Sequence, residues 1–95
     1  MASPVVRLGD INNAGGAITG PGTPTVLTNG IPTSVIFDGV SPHAPCTRIP
    51  SHCAAVVVGG SGTVLSEGRP VVFVGAPDSC GHIRATGSPT VLVGI

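Results

Sequence analysis

Gly22-Thr23-Pro24-Thr25-Val26-Leu27, Gly60-Ser61-Gly62-Thr63-Val64-Leu65 and Gly87-Ser88-Pro89-Thr90-Val91-Leu92 are three copies of one hexapeptide, G-[ST]-x-T-V-L, in a chain of 95 residues. The copies begin at residues 22, 60 and 87, an uneven spacing that excludes a regular solenoid. The pattern predicts one compact domain over residues 1–95 with approximate internal threefold symmetry. Working outward from each copy, Asn29-Gly30 and Glu67-Gly68 follow the first two at a fixed offset, and Pro32 and Pro70 follow the turns. Asn-Gly is a strong hairpin signal because both residues accept the positive φ of a type I′ turn. Short strands are predicted at residues 25–27, 34–37, 54–58, 63–65, 71–74 and 90–93. The unit is T-V-L, a turn, a proline and a second apolar run. Two complete hairpins are expected, with a third T-V-L strand that stops at the end of the chain.

Helix is excluded by punctuation. The longest stretch free of Gly and Pro is residues 51–58, and it ends in three valines. A helix needs about 10–12 residues and disfavours such a β-branched run. The fold class is therefore all-β. Disorder fits poorly despite 15 Gly and 10 Pro, because only 8% of residues are charged and the apolar residues alternate.

Composition limits how the fold is held together. Aromatic residues are 2% of the chain, with no Trp or Tyr, so the core must be Val, Ile, Leu and Ala. Each such side chain contributes about 1.5–3 kcal/mol when fully enclosed. A small chain with so few large apolar groups needs a staple, and three His with three Cys make a metal the first candidate. Four arginines and four acids cancel, leaving no basic stripe for nucleic acid or an anionic membrane. The longest apolar run, residues 53–58, falls short of the ~20 residues of a membrane helix. The first residues lack the basic start and apolar block of a signal peptide, so the chain is expected to be made in the cytoplasm.

His43, His52 and His82, with Cys46, Cys53 and Cys80, all fall in connecting loops outside the T-V-L strands. In Cys80-Gly81-His82, residues i and i+2 of an extended chain point the same way, so both can reach one ion. His43 ends the first hairpin at a place that corresponds, with a one-residue shift, to Cys80 in the second. A tetrahedral Cys/His3 site of His43, His52, Cys80 and His82 needs no unusual geometry, with Zn–N near about 2.0–2.1 Å and Zn–S near about 2.3 Å. The residues also admit isolated surface histidines, buried cysteines or a Cys46–Cys53 disulfide, although an odd cysteine count argues against a disulfide framework. A Cys80–His82–Asp78 catalytic set is disfavoured because residues so close in sequence seldom face each other as nucleophile and base. With no nucleophile elbow, phosphate loop or paired carboxylates, the chain is not expected to be an enzyme.

Arg7-Leu8-Gly9-Asp10, then Gly15-Gly16, then Gly22-Thr23-Pro24-Thr25-Val26-Leu27-Thr28-Asn29-Gly30-Ile31-Pro32 resemble the opening of a PAAR-repeat protein. Arg69-Pro70, Cys80-Gly81 and Gly87-Ser88-Pro89-Thr90-Val91-Leu92-Val93-Gly94 resemble its close, and the similarity covers essentially the whole chain. The resemblance implies a small cone-shaped β-protein with zinc near its apex. It implies a cap on a trimeric β-helical spike, of the valine-glycine-repeat type in type VI secretion or its counterpart in contractile phage tails. Three histidines and one cysteine hold the family's zinc, which here gives His43, His52 and His82 with Cys80. Two departures stand out. The naming Pro-Ala-Ala-Arg tetrapeptide reads Pro32-Thr33-Ser34-Val35 and Pro70-Val71-Val72-Phe73, and the histidine often found before the early Gly-Gly is Ala14. Cys46 and Cys53 compete with Cys80 as sulfur ligand, and iron accepts the same donor set as zinc.

A sharp apex leaves no room for a hydrophobic core, and metal binding worth of order ~10 kcal/mol can replace burial there. Three T-V-L strands offer a pseudo-threefold base that matches a trimer. Val26, Leu27, Val64, Leu65, Val91 and Leu92 are expected to form either the core or that platform. The resemblance further implies a monomer on a homotrimer, membrane piercing, recruitment of separate cargo, and export with the machine or residence in a virion. Since the chain ends at Gly94-Ile95, no effector extension is expected. The competing expectations are a stand-alone metal-stabilised binding module and a small zinc-dependent toxin or enzyme.

Overall fold

A computed structural model describes residues 2–42 and 55–94. Two predicted turns organise it. Asn29 and Gly30 adopt φ of 54° and 78°, and Glu67 and Gly68 adopt 49° and 81°, so both turns have the positive-φ pair whose twist matches a hairpin. The first joins β3 (Thr23–Thr28) to β4 (Ile31–Thr33), and the second joins β6 (Leu65–Ser66) to β7 (Arg69–Pro70). Both pairs are antiparallel, with Leu27 opposite Pro32 and Leu65 opposite Pro70.

The third T-V-L strand is not left open, which corrects the expected two hairpins and a lone strand. β8 (Leu92–Gly94) pairs antiparallel with β1 (Ala2–Pro4), placing Leu92 opposite Pro4. The start of the chain thus supplies the second half of the last hairpin. A fourth pair joins β2 (Ile18–Gly20) to β5 (Gly39–Val40), and no strand pair of the described residues is parallel.

Pro4, Pro32 and Pro70 are therefore equivalent, and the residues after them meet on a threefold axis. Val6 N–H donates to Val72 O, Val72 N–H to Ser34 O and Ser34 N–H to Val6 O, each at 3.0 Å. This closed triangle has a companion: Leu8 N–H donates to Pro32 O, Ile36 N–H to Pro70 O and Val74 N–H to Pro4 O, at 3.1, 3.1 and 2.9 Å. Bridges Val5↔Phe73, Arg7↔Thr33 and Val35↔Val71 complete the cycle. Closure removes the unpaired edges that short strands would otherwise present. The predicted runs 34–37 and 71–74 lie here, as single bridges around the axis rather than as continuous strands.

Side chains alternate off this frame into two clusters. Val5, Val71 and Val93 are buried in one, beneath the T-V-L strands; Val6, Val72, Ile18, Val40, Ala55, Val57 and Ala76 fill the other. The first glycine of each hexapeptide is fixed by close approach. A Cβ would stand 2.9 Å from Leu8 at Gly22, 2.6 Å from Ile36 at Gly60 and 2.9 Å from Val74 at Gly87, and these three side chains are themselves equivalent. Among the described residues there is no helix long and apolar enough to cross a membrane.

Candidate functional site

Beyond the axis each repeat turns back on itself. Asp10, Asp38 and Ala76 N–H donate to Arg7, Val35 and Phe73 O, closing three equivalent turns. Gly9, Phe37 and Gly75, all at positive φ, then donate to Ile18, Val57 and Arg84 O. At the far ends, residues 11–17 and 77–83 form loops closed by the bridges Ile11↔Ala17 and Pro77↔Ile83, and the Gly39↔Val56 bridge occupies the equivalent place in the second repeat. They are linked in a ring. Asn13 N–H donates to Ile83 O at 3.0 Å, Ser79 N–H to Val56 O at 2.7 Å and Ser41 N–H to Ala17 O at 2.8 Å. The same three side chains accept in return, Asn13 Oδ1 from Ile83 N–H, Ser79 Oγ from Val56 N–H and Ser41 Oγ from Ala17 N–H. Each polar side chain thus pins the next loop.

The ring sets the register of the candidate ligands. Since Asn13 and Ser79 are equivalent, Cys80 stands where the first repeat has Ala14, and neither residue lies in a strand. Cys80 Sγ and His82 Nδ1 are 3.8 Å apart, across the left-handed Gly81 at φ 95°. Two ligands of one tetrahedral zinc stand about 3.6 Å apart when the bond lengths are those of thiolate and imidazole. The pair therefore fits a shared ion. His43 and His52, with Cys46 and Cys53, lie outside the described residues; among the described residues no group of three donors is assembled.

Under this loop lies a buried polar brace that the sequence did not reveal. Arg84 Nη2 donates to Asp78 Oδ2 at 2.6 Å, with both side chains at 0% exposure. Arg84 also donates to Gly16 O and Asp10 O, and Asn12 Nδ2 donates to Asp78 Oδ2 at 2.8 Å. Asn12 Oδ1 accepts from Ala14 and Gly16 N–H, holding the first loop. Asp78 is engaged in this brace through Oδ2, which accepts from both Arg84 and Asn12. Its Oδ1 and Arg84 Nε have no hydrogen-bond partner among the described residues.

The opposite end carries the three T-V-L strands. Leu27, Leu65 and Leu92 are 57%, 59% and 58% exposed, and Val26 and Val91 are 40% and 38% exposed. These five are surface, while Val64 is half-buried against the lower cluster. Val26, Leu27, Val64, Leu65 and Val91, with Val5, Val71 and Val93, line a shallow apolar hollow of about 240 Å³. Hydroxyls and turns brace its rim. Ser61 Oγ accepts from Thr63 and Val64 N–H, and Ser88 Oγ from Thr90 and Val91 N–H. Asn29 Nδ2 donates to Thr90 Oγ1 at 2.9 Å, and Glu67 accepts from both N–H and Oγ1 of Thr25. Those bonds hold the Glu67 carboxyl below its ordinary value, with its Thr25 hydroxyl partner the main cause.

Pro4-Val5-Val6-Arg7 occupies the place of Pro32-Thr33-Ser34-Val35 and Pro70-Val71-Val72-Phe73, and alone of the three ends in arginine. It is the copy that the sequence reading missed, because its hairpin partner lies at the other end of the chain. A family model described as PAAR motif matches residues 8–82. No curated protein matches the chain. The chain belongs to the PAAR-motif family, whose general role is that of a spike tip in contractile injection systems.

Proposed function

We propose that this protein is the zinc-stabilised tip of a trimeric β-helical spike, seated on it by the three T-V-L strands. The observation that carries this reading is where the repeats agree. Thr25/Thr63/Thr90 and Leu27/Leu65/Leu92 are identical in all three copies, and the leucines are exposed to the same extent. The interior positions vary more: Val6 and Val72 but Ser34 on the axis; Ile18, Val57 and Arg84 behind them; Asn12, Val40 and Asp78 in the loops. Packing constrains interiors, not exposed leucines. Identity at the surface with divergence inside therefore speaks for a partner with threefold symmetry. Low charge and an apolar hollow suit the blunt end of a β-helix.

At the other end, Cys80 and His82 with His43 and His52 hold zinc as a structural ion. The metal adds binding energy at the end of the molecule that carries the Cys80–His82 loop. The same reading includes piercing of a target membrane, recruitment of separate cargo and export with a type VI or phage-type machine, the roles that membership of the family suggests. Native mass spectrometry of the protein mixed with a trimeric spike tests both ends. The expected particle is one chain and one zinc per trimer, with zinc lost on Cys80→Ser or His82→Ala. A folded, metal-free chain would remove the metal site, and a chain that ignores the trimer would remove the capping role.

A further inference from the structure

The repeats themselves provide a control for the buried brace. The positions of Asp78 and Arg84 are filled by Asn12 and Ile18 in the first repeat and by Val40 and Val57 in the second. A neutral filling is thus compatible with this frame, and a buried ion pair usually gains little over one because both charges lose their hydration. The charged filling occurs in the repeat whose loop carries Cys80 and His82. Asp78 and Arg84 flank that loop directly, two residues before Cys80 and two after His82. Asp78 also closes it through the main chain, its N–H donating to His82 O at 2.7 Å and its O accepting from Gly81 N–H at 3.0 Å.

Only one Asp78 oxygen is used by the brace. Oδ2 takes both Arg84 and Asn12, while Oδ1, fully buried, has no partner among the described residues. Leaving a carboxylate oxygen buried and unpaired is costly unless something arrives to meet it. A histidine that binds a metal through one ring nitrogen carries an N–H on the other, and that N–H requires an acceptor, commonly a carboxylate. We propose that Asp78 is a positioning residue for the metal centre: Arg84 and Asn12 fix its carboxylate, and Oδ1 accepts the N–H of a ligating imidazole. This rests on the zinc reading above.

The repeat-swapped variant Asp78→Val/Arg84→Val gives the third repeat the filling of the second, Val40 and Val57, and removes the acceptor without stranding a buried charge. Wild-type protein is first shown to bind one zinc; failure there removes the metal site itself and this role with it. The swapped variant is expected to fold, to hold zinc 10–100-fold more weakly, as loss of an outer-sphere partner does, and to shift the visible spectrum of its cobalt(II) form. Unchanged zinc affinity with an unchanged cobalt spectrum would overturn the proposal. Should the variant fail to fold, proton NMR of wild-type protein decides. A slowly exchanging imidazole N–H with a nuclear Overhauser contact to the Asp78 methylene is expected in the zinc form and not after chelation. Its absence from the zinc form would equally overturn the proposal.

Discussion

Phe37 stands at φ 70° where the other two repeats place Gly9 and Gly75, and it is 64% exposed. A bulky side chain in the left-handed region is strained by about 1–2 kcal/mol, and so open a ring recovers little of that by burial. Its backbone still makes the shared bond, N–H to Val57 O at 2.7 Å. Phe37→Gly is therefore expected to raise stability by about 1 kcal/mol, read as a higher urea midpoint at unchanged slope, with no such gain for Phe37→Ala. A lower midpoint for the glycine variant would mean that contacts of the ring outweigh the strain. At this scale the sequence was least legible. Nothing in Ile36-Phe37-Asp38 marks a positive-φ turn, and Arg84 reads as a solvated arginine until the fold encloses it.

Between residues and the molecule stand the turns that join one repeat to the next, and Arg7 and Asp10 clamp the first of them. Asp10 Oδ2 accepts from Arg7 N–H at 2.8 Å and Nε at 3.0 Å; Arg7 also reaches Asn29 in the β3–β4 turn, and Thr86 donates to Asp10 Oδ1. Burial pushes the Asp10 carboxyl up, but the Arg7 hydrogen bonds and charge, with the Thr86 bond, outweigh it and hold the group below its ordinary value. The sign follows. The clamp contributes fully above pH ~4, the unfolded value, and its contribution is lost as pH falls through the lower folded value. Urea midpoints measured from neutral to acid pH should fall more steeply for wild type than for Asp10→Asn; parallel curves would show that the clamp adds nothing. Elements built on local chemistry were legible: both hairpins follow from their turn dipeptides and the all-β class from the lack of uninterrupted stretches. The β1–β8 pair was not, because no local pattern links residues 2–4 to 92–94.

For the molecule as a whole, symmetry is the property that the proposed capping role uses. Leu27→Asp, Leu65→Asp and Leu92→Asp alter side chains more than half exposed, so each should leave the fold intact. Each should weaken binding to a trimeric spike by about tenfold or more, the mark of a desolvated contact, and the three effects should be equal. Titration by calorimetry checks this, and one variant without effect would show that the partner does not engage all three strands. The platform was legible as a repeat before any coordinates, since the hexapeptide is written three times. That it lies outside the core was not, because T-V-L suits a buried strand as well as an exposed one. Of the candidate metal ligands, Cys80 and His82 lie 3.8 Å apart, a proximity that their spacing suggested, while the brace beneath them joins residues 12, 78 and 84 that only the fold assembles.

The pairing of β1 with β8 also sets an order in time. Ala2 faces Gly94, so β1 waits for a strand made more than ninety residues after it. Until then the first two hairpins can zip at their own turns, but the triangle at Val6 lacks the flanking strand that holds it. Non-local closure of this kind is slow, and it leaves strand edges open to other chains meanwhile. The three repeats thus cannot finish folding one by one; β8 closes them together.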